Sequence, residues 1–511
     1  MEISEEEYKR LLLENEKLRL QVFQLQDSLL WLRKRVFGKM SEKHLPIDPN
    51  QLSLFSDEEL SSLGPEAKEE SEKAEKLITK NVKVGPRPAR RQLDLEHLPV
   101  ETEDIYPEGT LDASGSLKEE YVEIGTETSR RLERIPAKLF VRRTVRHKVI
   151  LKDDVSKKFP EERRIMIPDL PLTPVPKSMA GASVLADIII GKFMYHLPFY
   201  RQIQQYKEAG IVIGSSTMGD WYEDGIDVLK PLYDRLRKNI LSSTYVQIDE
   251  SVVPVLDNEK HKATKGYEWC VRDGISGDVM FYYDGGSRAH SVARSILSGF
   301  QGTIQCDGYE AYDQFENKVG FTVCGCWAHT RRKYVDALDE DKENASKGIL
   351  TIAKLYAVEE DCKDMSPEER AKVRQEKSYP VIKEFEKWIM ELYPKVLPKS
   401  RIGKALAYTY SLLPRLSRYV NDGRTNIDNN LIENAIRPLA IGRKNYLFCG
   451  NDASAYRAAV AYSLIATCKS AGVEPRIWME DVLCKIPYYQ RDNKDLGELL
   501  PRNWRLVHTS S

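Results

Sequence analysis

The sequence predicts a multidomain α/β protein in which a mixed-sheet core is interrupted by a helical insertion. A helix-turn-helix region and an N-terminal coiled coil precede that core. Three observations carry this expectation. Leucines recur every seventh residue near the start, short β-type runs alternate with helical patterns over residues 241–339, and a charged helical stretch separates those runs from later amphipathic helices. A chain of 511 residues suggests three or more units at about 150 residues each.

Residues 1–40 supply the coiled coil. Leu11, Leu18, Leu25 and Leu32 fall at d positions, and Tyr8, Asn15, Val22, Leu29 and Val36 fall at a positions. An Asn at a specifies register and dimers, so homo-oligomerisation through this helix is expected. A single amphipathic helix packed on its own domain would show a similar stripe. Residues 41–83 turn polar and acidic, with few side chains to bury, and are expected to be a disordered linker.

Residues 84–165 carry short β-type runs and a dense cationic stretch, with Arg130, Arg131, Arg134, Lys138, Arg142, Arg143, Arg146 and Lys148 against a single Glu133. Partial alternation of apolar and basic residues from Lys138 to Ile150 predicts a strand with one cationic face. Such a face would suit phosphates, and Arg142, Arg143 and Arg146 are the candidates for DNA contact. Residues 166–240 form the helical region: a proline-rich connector, then helices at Ser183–Tyr195, Pro198–Ala209 and Ser216–Leu236, with Ser215 or Ser216 capping the third. The tight turn around Gly210–Gly214 suits a helix-turn-helix whose second helix enters a major groove, although helical hairpins are equally at home in cores.

Net charge is −1, so any basic surface must be local. No run approaches the length of a membrane span, the N-terminus is acidic rather than signal-like, and eight scattered cysteines suit reduced thiols. A soluble cytoplasmic protein is expected.

Residues 241–339 form the first part of the core. The strands Thr244–Asp249, Gly266–Arg272 and Val279–Tyr283 are followed by helix His290–Leu297, strand Thr303–Asp307, a short helix at Glu310–Phe315, strand Gly320–Cys324 and a basic helix from Trp327. This order puts Asp249 at the end of the first strand and Asp307 at the end of the fourth, where a mixed sheet can bring them together. Two carboxylates held together repel unless a divalent cation lies between them. Residues 340–400 are the helical insertion, residues 401–470 the later core helices, and residues 471–511 a C-terminal segment.

A third carboxylate comes from Asn426-Ile-Asp-Asn-Asn-Leu-Ile-Glu433-Asn-Ala-Ile-Arg437-Pro-Leu-Ala-Ile-Gly-Arg443-Lys444. Its apolar spacing predicts a helix from about Asn429, capped by the Asp/Asn run and stopped at Gly442. Glu433 would complete a two-metal site for in-line phosphoryl transfer, with Arg437, Arg443 and Lys444 holding phosphates. The blander alternatives are a surface Glu–Arg pair at i, i+4 and strand-end Asp residues that cap turns. Cys324, Cys326 and His329 lack a fourth ligand at zinc spacing, so zinc is not expected there.

Ile248-Asp-Glu-Ser251, Cys306-Asp-Gly-Tyr309, Cys326-Trp-Ala-His-Thr-Arg-Arg-Lys333 and Asn429-Asn-Leu-Ile-Glu-Asn-Ala-Ile-Arg-Pro438 with Gly442-Arg-Lys-Asn445 resemble the transposases of the insertion sequence 66 family. These are DDE enzymes with a ribonuclease-H-like core, and the resemblance covers about residues 84–490. It implies that Asp249, Asp307 and Glu433 are catalytic and hold Mg²⁺ or Mn²⁺. It implies a bacterial, nucleoid-associated protein that cleaves and joins DNA at transposon ends and targets, with element-encoded helper proteins as further partners. Cys326-x-x-His329 is similar to an element that follows the second Asp in several DDE groups, which gives Cys326 and His329 a supporting role and places Arg331, Arg332 and Lys333 beside DNA. Many relatives carry a zinc-binding cysteine segment before the basic region, and residues 100–125 here contain no cysteine. A nuclease without strand transfer and a non-catalytic DNA-binding derivative are the alternatives.

Overall fold

The computed structural model describes residues 139–145, 169–257, 262–316 and 318–508. The expected coiled coil, the acidic linker, most of the basic region, and Arg146 lie outside the described residues. Over 139–145 no strand forms, and Arg142 and Arg143 are exposed together with their apolar neighbours. The expected cationic strand is therefore absent from that stretch, because Leu139, Phe140, Val141 and Val145 have no surface to cover them.

The helical region contains α1 (Ala182–Phe193), α2 (Phe199–Glu208) and α3 (Ser215–Leu241). Gly214 occupies the N-cap of α3, and no side chain caps it, so neither Ser215 nor Ser216 does what was expected. The helix runs to Leu241 because its apolar stripe, Met218, Tyr222, Ile226, Leu229, Leu232, Leu236 and Ile240, is buried along its whole length. Its other face stays open at the start of the helix, where Ser215, Ser216 and Asp220 are exposed. Between α1 and α3, α2 keeps only Gln202 and Tyr206 buried.

The sheet has five strands, β1 (Tyr245–Asp257), β2 (Lys262–Asp273), β3 (Val279–Tyr283), β4 (Gly302–Gln305) and β5 (Phe321–Cys324), in the order β3-β2-β1-β4-β5. β1 and β3 each run antiparallel to β2, while β4 lies parallel to β1 and to β5. The intervening α4 (His290–Ile296) and a 3₁₀ turn (Glu310–Phe315) fall where the sequence predicts helices. β1 corrects one expectation: it does not end at Asp249. Its ladder with β2 continues to Asp257↔Lys262, whereas its ladder with β4 stops at Gln247↔Gln305. Pro254 is tolerated there because one side of β1 no longer has β4 beside it.

After β5 come α5 (Trp327–Val335), then α6 (Lys342–Asp361), α7 (Pro367–Val373), a π turn (Arg374–Ser378) and α8 (Tyr379–Leu392). The chain returns through α9 (Arg401–Ser417), α10 (Asn430–Tyr446), α11 (Asp452–Ser470), α12 (Pro475–Arg491) and α13 (Pro501–His508). α11 covers the open edge of the sheet. The β3 amides of Val279 and Phe281 donate to Thr467 Oγ1 at 3.1 Å and Ser463 Oγ at 2.7 Å, so hydroxyls replace the missing strand partner. All eight cysteines are unpaired. Among the described residues, no helix is long and apolar enough to cross a membrane.

Candidate active site

The register Gln247↔Gln305 positions the first two carboxylates. Asp249 and Asp307 each lie two residues beyond that pair, where β4 has ended and β1 continues. They therefore emerge on one side of adjacent parallel strands. Asp249 Oδ1 accepts its neighbour's amide, Glu250 N–H, at 2.8 Å, and Asp307 Oδ1 accepts Tyr309 N–H at 2.9 Å.

The two glutamines of that register pair tie down the approach to α10. Gln305 Oε1 accepts from Tyr245 Oη at 2.6 Å and from Gln247 Nε2 at 2.9 Å. Gln247 Nε2 also donates to the Asp428 carbonyl at 3.1 Å, and Gln305 Nε2 donates to the Asn426 carbonyl at 2.7 Å. Both side chains are fully buried, where an unmade bond would cost about 1–3 kcal/mol. Sequence reasoning passed over them, although the repeated pattern Gln-x-Asp at 247–249 and 305–307 was the available signal.

α10 lies along β1 and is tied to it at both ends. At its start, Asn429 Nδ2 donates to the Ile248 carbonyl at 3.3 Å and Asn429 N–H to Cys326 Sγ at 3.3 Å. Asn429 does not cap the helix with its side chain; Asp428 Oδ1 instead accepts Asn430 N–H at 3.0 Å. Beyond the helix, Cys449 N–H donates to the Pro254 carbonyl and Leu256 N–H to the Cys449 carbonyl, both at 2.8 Å. The long β1 is the rail for this helix. Gly442 does not stop α10: a side chain there would collide with Tyr462 and Tyr446, so Gly442 permits close packing, and the helix ends with Leu447 at φ 68°.

Glu433, in the first turn of α10, faces α5 rather than Arg437. His329 Nε2 is 3.6 Å from its Oε1 and Arg332 is 3.5 Å from its Oε2. Glu433 Oε1 is shielded from solvent and accepts no hydrogen bond, and buried Asn429 Oδ1 is likewise unmatched. Burial pushes the Asp249 carboxyl up to about 8, with further upward pushes from Glu250, Asp307 and Glu433. His329 is held below the usual imidazole range, by burial first, while Glu433 and Asp307 pull the other way. Asp249, Asp307, Glu433 and His329 therefore sense one another. Among the described residues no group of three or more His, Cys, Asp or Glu side chains is drawn together closely enough to hold a metal ion.

The donor types nevertheless suit a divalent cation: a buried Asp249 carboxyl with three other carboxylates acting on it and an unmatched Glu433 oxygen. Among the basic residues expected to meet DNA, Arg332, Lys333, Arg437 and Lys444 are exposed and Arg331 is half-buried. Lys333 lies over the Tyr408 ring at 5.5 Å. Arg443 differs from the expectation, since its Nη1 is engaged by Ser251 Oγ at 3.2 Å and by the Val252 carbonyl. It fastens α10 to β1.

The loop before α10 is held from the helical insertion. Fully buried Arg374 pairs with Glu359 and donates to the carbonyls of Tyr419, Asp422 and Thr425 at 3.0, 2.9 and 2.9 Å. Tyr356 Oη donates to Asp428 Oδ2 at 2.7 Å.

Residues 177–457 match the model for the transposase IS66 family. The chain belongs to that family. Residues 463–502 match the IS66 C-terminal element, and residues 24–102 match the model described as transposase C of IS166 homeodomain. The IS66 chain is similar to the uncharacterized protein y4jD of Sinorhizobium fredii (strain NBRC 101917 / NGR234), 31% identical over 96% of each chain. It is also similar to the uncharacterized protein y4qI of that strain, 32% identical over 89% of this chain and 84% of the relative. Membership of the IS66 family supports a transposase role.

Proposed function

We propose that this IS66-family protein is a DDE transposase that cleaves DNA strands at insertion-sequence ends and transfers them to a target. The observation that carries the proposal is that Asp249 and Asp307 each follow the Gln247↔Gln305 register pair by two residues, while Asn429 ties the start of α10, which carries Glu433, to the Ile248 carbonyl. The strand order β3-β2-β1-β4-β5, with its antiparallel and parallel halves, supports a ribonuclease-H-like core.

Asp249, Asp307 and Glu433 would hold Mg²⁺ or Mn²⁺. The chemistry such ions supply when bound is activation of an attacking oxygen and stabilisation of a leaving one. The protein's own part is positional. Asp249 lies on β1 and Asp307 just beyond β4, Glu433 stands in the first turn of α10, and His329 Nε2 on α5 lies 3.6 Å from Glu433 Oε1. Arg332, Lys333, Arg437 and Lys444 would bind backbone phosphates, giving salt-dependent affinity that fixes DNA without reading its sequence.

The test is metal-dependent cleavage of labelled DNA carrying the element's own ends, wild type beside Glu433→Gln. Cleavage that requires Mg²⁺ and is lost in the variant is the expected result. Equal cutting by both proteins would remove Glu433 from the site. Joining of a 3′-hydroxyl end to target DNA distinguishes a transposase from a nuclease on the same core. DNA binding without cutting by either protein would favour a non-catalytic derivative.

A further inference from the structure

The turn that ends α10 is strained and held fast. Leu447 stands at φ 68° and ψ −51°, and Phe448 N–H reaches back across it to the Tyr446 carbonyl at 2.8 Å. This is a γ-turn of the rare positive-φ kind, costly for a leucine. Both flanks pin it. Tyr446 Oη is 2.9 Å from Tyr462 Oη on α11, and Cys449 bridges to Val255 of β1 through its bonds to Pro254 and Leu256. The side chains at the apex remain in solvent, Leu447 63% exposed and Phe448 42%. It is therefore the scaffold, not burial of these side chains, that offsets the strain. The solvent face of α10 leads to this tip. Asn434, Arg437, Ile441 and Lys444 recur at helical spacing and are all exposed, and no carboxylate stands between Glu433 and Asp452. The stripe is cationic and suits phosphates.

We propose that Leu447 is a wedge that enters a base step of the DNA end, with Phe448 broadening the apolar tip behind it. This rests on the reading of α10 as part of a DNA-cleaving site. Apolar side chains presented beside cations are the means by which proteins unstack and kink a duplex. From Glu433 to Leu447 the helix rises about 20 Å, at about 1.5 Å per residue. Duplex DNA following the stripe would meet the wedge about six base steps from Glu433, at about 3.4 Å per step. A tip already fixed in place loses little further freedom on insertion, whereas a flexible loop would have to be ordered first. The wedge thereby selects DNA by how readily a step opens, without reading base edges.

The test uses full-length protein and the element's own end, with 2-aminopurine placed at successive positions inward from the cleavage site. Binding of wild type should raise the fluorescence severalfold at one step, about six steps in. Wild type should also bind an end mismatched at that step about tenfold more tightly than the paired end, because the step is already open. Leu447→Ala should abolish both the fluorescence rise and the preference for the mismatch, and weaken binding to the paired end about tenfold. Leu447→Gly, which removes the side chain and the strain together, should behave alike and melt no lower than wild type; it replaces the alanine variant if that one unfolds. No fluorescence rise with bound wild type, or a mismatch preference equal in wild type and variants, overturns the wedge alone. Variants that bind DNA as wild type does but sediment as a smaller species would assign the tip to a second copy of this chain, which also overturns the wedge. A wild type that does not bind the end, or binds it equally well after Arg437→Ala/Lys444→Ala, overturns the reading of α10 as a DNA site and the wedge with it.

Discussion

Two clusters of buried charge lie on either side of the start of α10, and they are built in opposite ways. On the insertion side, Arg374 meets Glu359 and three carbonyls, while Asp428 takes donors from Tyr356 and Asn430. On the sheet side, Asp249 is pushed up by burial and by three neighbouring carboxylates, and Glu433 Oε1 accepts no hydrogen bond. The first cluster is satisfied and the second is frustrated. Satisfied charges hold a shape, and frustrated ones wait for a ligand.

The sharpest way to break this contrast is to relieve the frustrated side. Asp249→Asn should lower DNA cleavage by about 10⁴-fold or more, about 5.5 kcal/mol in the barrier, in a single-turnover assay. The same variant should melt no lower than wild type, since it removes a repelled charge. A large fall in melting temperature would mean that Asp249 is structural.

On the satisfied side the balance reverses. Arg374→Ala strands a half-buried Glu359 and three carbonyls, and should cost about 3 kcal/mol in urea unfolding. A loss below about 1 kcal/mol would show that water or local rearrangement replaces the guanidinium with ease.

Glu268 tests whether frustration alone marks function. It is fully buried on β2, neither oxygen has a partner, and burial pushes its carboxyl up to about 8. The folded value stands above the unfolded one, so the unfolded chain ionises first as pH rises. Stability should therefore be highest below about 4.5 and fall through pH 4.5–8, by about 5 kcal/mol from this residue. Glu268→Gln should flatten that slope in pH-dependent denaturation and leave cleavage intact. Loss of cleavage would join Glu268 to the site. The smallest effect is expected for Tyr356→Phe, about 1 kcal/mol, through the single bond to Asp428.

Much of the site was legible because it depends on local order. The βββ-α-β-α-β-α pattern was enough to expect Asp249 and Asp307 at the ends of neighbouring strands. The apolar spacing after Asn429 was enough to place Glu433 in a first helical turn. What escaped the sequence depends on contacts between distant residues. Nothing local says that β1 runs past Asp249, because the extension rests on its ladder with β2, to Asp257↔Lys262, and on Arg443 and Cys449 docking against Val252, Pro254 and Leu256. The Gly442 stop failed for the same reason, since Tyr462 on α11 requires a small residue there. Arg443 looked like a phosphate ligand and serves as a fastener. Arg374 gave no signal, being one arginine among many until three carbonyls from residues 419–425 close around it.

The helical insertion has a consequence for how such a chain can change over generations. Residues 342–395 look removable in a linear map, as an appendage spliced between the segments that carry Asp307 and Glu433. Arg374 and Tyr356 make them instead the keystone over which the last carboxylate is set. A descendant could not shed the insertion in one step and keep Glu433 in place. It would first have to find new donors for Asp428 and for the carbonyls of Tyr419, Asp422 and Thr425. The two parts of this protein are therefore bound to be inherited, exchanged or lost together.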